Sequence, residues 1–169
     1  MAVQHTLLSL ERGIHPIIGT TGISKGDLAV IEQQVERTGV AAAIIANFSL
    51  GAMLLSRFAL MAAQYYTAVE IVERHHAEKR DAPSGTALRL AQRLAHEGYG
   101  RPEREIPIHS LRLPGYVAHH EVIFGGQGER LTLVHATVNR ESFASGVLLT
   151  LSKIDQFNRV IYDLSDLMD

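Results

Sequence analysis

Apolar residues recur at helical spacing at the start of the chain, with Val3, Leu7, Leu8 and Leu10 preceding Arg12 and Gly13. Gly13 is read as the residue that stops this first helix. The run around Pro16, Ile17 and Ile18 then has the length of a short buried strand entering a turn at Gly19. Ser24 is placed to cap a helix over residues 25–37, and Gly39 to end it. Ala41, Ala42, Ala43, Ile44, Ile45 and Ala46 form a second apolar run of strand length. Helix, strand, helix, strand in quick succession is the rhythm of a parallel α/β unit. A crossover helix needs a strand on either side, so the expected sheet is cut at its beginning.

The pattern then changes. Residues 49–66 read as one long apolar helix. Residues 67–74 alternate, Val69 and Ile71 against Glu70 and Glu73, like a half-buried strand that delivers His75 and His76 at its end. Ser84 or Thr86 can cap a helix over 87–96, closed by Gly98. Three antiparallel strands are expected at 106–113, 117–124 and 130–139, with residues 125–128 turning between the last two. A helix over 142–157 and a short strand over 159–162 complete the chain. The fold class is α/β followed by α+β, the second part built on an open mixed β-sheet.

Composition narrows the function classes. Lys and Arg number 16 against 18 Asp and Glu, a net charge of -2, so no broad basic field exists to hold nucleic acid or an anionic membrane surface. Any bound anion must be held by a local cluster. The absence of cysteine removes disulfide and thiolate chemistry and fits a cytoplasmic protein. The uncharged stretch over 39–55 is shorter than the ~20 residues a membrane span needs. The N-terminus lacks the basic region of a signal peptide. The 9 histidines include the adjacent pairs His75-His76 and His119-His120, whose members diverge on strands. No helical His-Glu-x-x-His spacing occurs, so no metal site is expected.

The densest chemistry lies between Glu73 and Ala87. Only one of His75 and His76 can easily face a given cleft. Lys79 follows in a loop, and Pro83, Ser84, Gly85 and Thr86 open a helix whose free N–H groups can receive an anion. An imidazole that titrates near neutrality, a lysine and an anion cradle are parts for protonating a carboxylated substrate. Taken alone, Ser-Gly-Thr ahead of a helix is usually a cap, and Arg112 a surface charge on a strand.

The complete string His75-His76, Lys79, Asp81-Ala82-Pro83-Ser84-Gly85-Thr86-Ala87 resembles the signature of the dihydrodipicolinate reductases. The likeness extends through Gly19-Thr20-Thr21-Gly22, Ala46-Asn47-Phe48-Ser49, the strands containing His109 to Gly115 and His119 to Gly125, and the turn from Arg140 to Gly146. The resemblance implies a truncated Rossmann-like remnant over 1–47. A substrate-binding and tetramerisation domain over 48–145 follows, and residues 146–169 return to the remnant. It implies His75 as proton donor, with Lys79 assisting. His76, Lys79, Ser84, Gly85 and Thr86 would hold the carboxylates of a cyclic imine. Gly19, Thr20, Thr21, Gly22, Ala46, Asn47 and Phe48 would lie along the nicotinamide of NADH or NADPH.

The family's opening strand and Gly-rich pyrophosphate turn find no counterpart in this sequence. The glycines at 125–128 sit in a β-turn that precedes no helix. Weak or absent cofactor binding is therefore expected of this chain alone. The implied reaction is NAD(P)H-dependent reduction of dihydrodipicolinate to tetrahydrodipicolinate, in lysine and diaminopimelate biosynthesis, by a cytoplasmic homotetramer. The alternative is a non-catalytic module that binds the dicarboxylate and assembles.

Overall fold

In the computed structural model, which describes residues 1–20, 22–101 and 103–168, the chain divides into two compact units. The first comprises Met1–Leu50 and Glu141–Asp169, the second Gly51–Arg140.

The first unit carries α1 (Ala2–Glu11), β1 (Ile17–Ile18), α2 (Lys25–Thr38) and β2 (Ala42–Ile44), followed late in the chain by α5 (Ala144–Lys153) and β7 (Val160–Ile161). The strands form a parallel sheet in the order β1-β2-β7. Leu10, Ile31, Val35, Ala42 and Val160 make its buried core. Local chemistry sets the α2 ends as the pattern requires. Ser24 Oγ accepts from the Asp27 N–H at 3.1 Å, and Gly39 closes the helix at φ 70°. Gly146, in α5, is required by a close approach: a Cβ there would sit 2.0 Å from the Phe48 carbonyl oxygen. Both ribbon-like strands next to the turns are shorter than their apolar runs, β1 being only Ile17–Ile18.

The second unit is a four-stranded mixed sheet covered on one face by helices. It holds α3 (Leu50–Ala63), β3 (Ala68–His75), α4 (Gly85–Arg93), β4 (Ile108–Arg112), β5 (Ala118–Gly126) and β6 (Glu129–Thr137). The strand order is β4-β3-β5-β6. β5 and β6 are antiparallel neighbours around a tight turn at Gln127 and Gly128, the latter at φ 80°.

The expectation of three successive antiparallel strands fails at β4. That strand runs parallel to β3 and occupies the edge, and β5 instead pairs with the other side of β3. The reason is the intervening α4, which serves as the crossover that a parallel pair needs. The helix cap is settled as well. Ser84, not Thr86, accepts the Ala87 N–H, and α4 continues into a π-helical turn at Leu94–Gly98.

Candidate active site

Strand period and register build the site. On β3, Val69, Ile71, Glu73 and His75 all point to the helix-covered face and are buried. Glu73 therefore belongs with the apolar set and not against it, as the alternation first suggested. The register places Ser110 and His120 opposite Glu73, and Arg112 and Ala118 opposite His75. Three neighbouring strands thus deliver two histidines, a carboxylate, a guanidinium and a hydroxyl to one patch.

Glu73 is its centre, with no solvent exposure. Arg112 donates to it through both terminal nitrogens, at 2.9 and 2.8 Å, and the Ser84 N–H donates at 3.1 Å. His75 Nδ1 bonds to Glu73 Oε2. Burial by itself would raise the Glu73 pKa, but Arg112, Ser110, His75 and the Ser84 N–H outweigh it and bring the carboxyl down to about 2. An ionised carboxylate only accepts, so the proton of the His75 bond sits on Nδ1.

Burial pushes His75 below its ordinary value, Glu73 opposes that shift, and Lys79 and Arg112 add to it. His120 stands edge-on to His75, with ring centroids 5.4 Å apart. Burial, then the charge of His75, holds His120 down to about 4, so it is neutral at ordinary pH.

The helix opening at 84–87 is partly committed. The Ser84 N–H belongs to Glu73. Ser84 Oγ caps Ala87 and lies 3.3 Å from His120 Nε2. Gly85 and Thr86 at the first turn keep their N–H groups outside these bonds. Lys79 Nζ pairs with Asp81 at 2.7 and 2.8 Å, and Arg112 also donates to the Asp81 carbonyl at 2.6 Å. The Ala82-Pro83 peptide is cis.

His75 is buried at the end of β3, whereas His76 lies beyond the strand and is exposed, as the period of two requires. The structure thus gathers His75, Lys79, Ser84, Gly85 and Thr86 around one loop and helix start. Arg112 is no surface charge; it clamps a buried carboxylate. Glu73, Ser110, Arg112 and His120 are the site residues that reading along the sequence missed. The parity of Glu73 with Val69, Ile71 and His75 was the available signal. Nothing in the sequence of β4 or β5 revealed which strand would lie beside it.

In the first unit, Gly19 and Thr20 leave the carboxyl end of β1, and Ala46, Asn47 and Phe48 leave that of its parallel neighbour β2. Open α/β sheets take ligands at such ends. A cavity of ≈ 410 Å³ between α1 and β1 is lined by Ala2, Thr6, Ser9, Pro16, Gly19 and Thr20 among others, and by none of Ala46, Asn47 and Phe48. A Cβ on Gly19 would approach the Phe48 ring to 3.2 Å. Thr21, expected in the same turn, lies outside the described residues.

The mixed-sheet unit thus carries a histidine held by a buried carboxylate next to a helix start, and the chain also contains a parallel α/β unit. The family model "Dihydrodipicolinate reductase, C-terminus" matches residues 51–168. The 4-hydroxy-tetrahydrodipicolinate reductase of Geobacillus thermodenitrificans is 42% identical over 98% of this chain and 69% of its own length. That of Bacillus subtilis is 40% identical over 98% of this chain and 68% of its own. The solved dihydrodipicolinate reductase from Paenisporosarcina sp. TG-14, with dipicolinate bound, superposes with a TM-score of 0.89. It is 37% identical and matches 98% of this chain and 69% of that one. The chain belongs to the dihydrodipicolinate reductase family. The first match runs over 183 aligned positions and this chain has 169 residues, so the relative carries residues inside the match without counterpart here.

Proposed function

We propose that this chain contributes the substrate half of an NAD(P)H-dependent reduction of dihydrodipicolinate to tetrahydrodipicolinate, in lysine and diaminopimelate biosynthesis. The observation that carries the reading is the His75 imidazole, held through Nδ1 by Glu73 beside the Ser84-Gly85-Thr86 helix start. Net reduction adds one hydride and one proton to the conjugated imine. His75 gives the proton from its charged form and recovers it from water. His76, Ser84, Gly85 and Thr86 take the substrate carboxylates. Lys79 joins them by exchanging its exposed Asp81 partner for a substrate carboxylate, an exchange of small cost because exposed ion pairs are weak.

Gly19, Thr20, Thr21, Gly22, Ala46, Asn47 and Phe48 would hold the nicotinamide end of NADH or NADPH. When bound, that group supplies the hydride. The position of Gly19 and Thr20 at the end of β1, on the cavity wall, and of Ala46, Asn47 and Phe48 after the parallel β2 supports the assignment.

A second reading is a module that binds the dicarboxylate and assembles without turning it over. Oxidation of NADH and NADPH by the purified chain, with dihydrodipicolinate generated in situ by the preceding enzyme, separates the two. Turnover above background supports the reductase. Dicarboxylate binding without turnover supports the module, and binding of neither ligand overturns both.

A further inference from the structure

The carboxylate beneath His75 is engaged on every side. Arg112 reaches it from β4, the Ser84 N–H from the start of α4, and His75 from two residues further along β3. A group that only filled a buried space would be better apolar, since burying an ion pair is rarely a net gain in stability. The arrangement instead leaves a fixed negative charge at one nitrogen of one imidazole. Among the described residues the other nitrogen, Nε2, makes no hydrogen bond.

We propose that Glu73, locked by Arg112, is a positioning residue for His75. It fixes the Nδ1–H tautomer and the ring orientation, so that Nε2 is the nitrogen that exchanges the reaction proton. This deepens the proposed reaction and rests on His75 as its proton carrier. The bookkeeping is simple: Nε2 loses one proton to substrate and regains one from water, while Glu73 stays ionised throughout.

The charged and titratable groups facing His75 are Glu73 on its own strand, Arg112 from β4, His120 from β5 and Lys79 from the following loop. Only Glu73 favours the imidazolium, because Lys79 and Arg112 repel it and His120 is neutral. The carboxylate is thus what keeps a proton available on a ring that burial would otherwise strip. A dyad of this kind holds a histidine in one tautomer and stabilises its charged form without taking the proton.

The test is ¹⁵N-histidine NMR of the whole chain. Unaltered protein should show His75 as the Nδ1–H tautomer above its titration midpoint. Glu73→Gln should move that midpoint to lower pH, with Glu73→Asp in between. Wherever turnover is measurable, Glu73→Gln should lower kcat and leave KM for the dicarboxylate nearly unchanged. An Nε2–H tautomer in the unaltered chain overturns the proposal, as does an unchanged midpoint in a folded Glu73→Gln. Should that variant fail to fold, the tautomer in the unaltered chain still decides. A chain without turnover defeats the proposed reaction but leaves the NMR result standing, so the two failures are distinguishable.

Discussion

Each residue of the cluster around Glu73 answers differently to substitution, because the carboxylate is buried and its partners are not equivalent. Arg112→Ala strands an unpaired charge, which typically costs about 3–5 kcal/mol. Urea unfolding should show a loss of that size, whereas removing the more exposed Arg74–Glu121 pair should cost much less. His75→Gln should leave the fold intact and lower turnover by about 10²–10⁴, the usual worth of a positioned proton donor. A steady-state assay checks it, and unchanged turnover removes His75 from the role.

Acid should weaken the fold in two windows. His120 is depressed from 6.5 to about 4, so unfolded chains bind its proton first and stability falls as pH drops through that interval. Glu73 is depressed from 4.5 to about 2, so its contribution, full above 4.5, is lost toward pH 2. Denaturation midpoints against pH should show both declines, and a folded His120→Phe should flatten the upper one. The signature residues at 75–87 were legible in the sequence because they are contiguous. Glu73 was half legible, through parity. Arg112 and His120 were not, because 39 and 47 positions separate them from Glu73 and only register joins them.

At the scale of elements, capping chemistry read directly from the chain set the ends of α2 and the start of α4. Ser24, Gly39 and Ser84 act through bonds to backbone only a few positions away, so their sequence neighbours carry the information. The direction of β4 is not legible in its own residues because it depends on a non-local partner. Its own residues look the same beside a parallel or an antiparallel neighbour. Close helix packing was equally invisible. Gly146→Ala would push α5 off the Phe48 carbonyl, and overpacking of this kind costs about 1–3 kcal/mol. A thermal melt of the variant should show a lower Tm, and an unchanged Tm would mean that α5 moves aside freely.

For the whole molecule, the uncovered face of the four-stranded sheet decides the expected assembly. It carries Val72, Leu111, Ile123 and Val134, the last 61% exposed, and Val138 just beyond β6 is 80% exposed. The Arg74–Glu121 and His109–Glu70 pairs share this face, and exposed valines among them can receive a second sheet. An assembly larger than a monomer is the expected species. Light scattering should report its mass, and Val134→Glu should reduce it; a monodisperse monomer would contradict the assignment. Among the described residues no helix is long and apolar enough to cross a membrane.

The sequence alone determined the alternation of helix and strand, the caps, and the contiguous string that marks the family, since all three are written in spacings of a few residues. Tertiary structure decided that β4 lies parallel at the edge of β3, and that Arg112 and His120 close on Glu73 from opposite sides. Those outcomes depend on which strands pair and in what register, and a pairing free energy belongs to two distant segments at once.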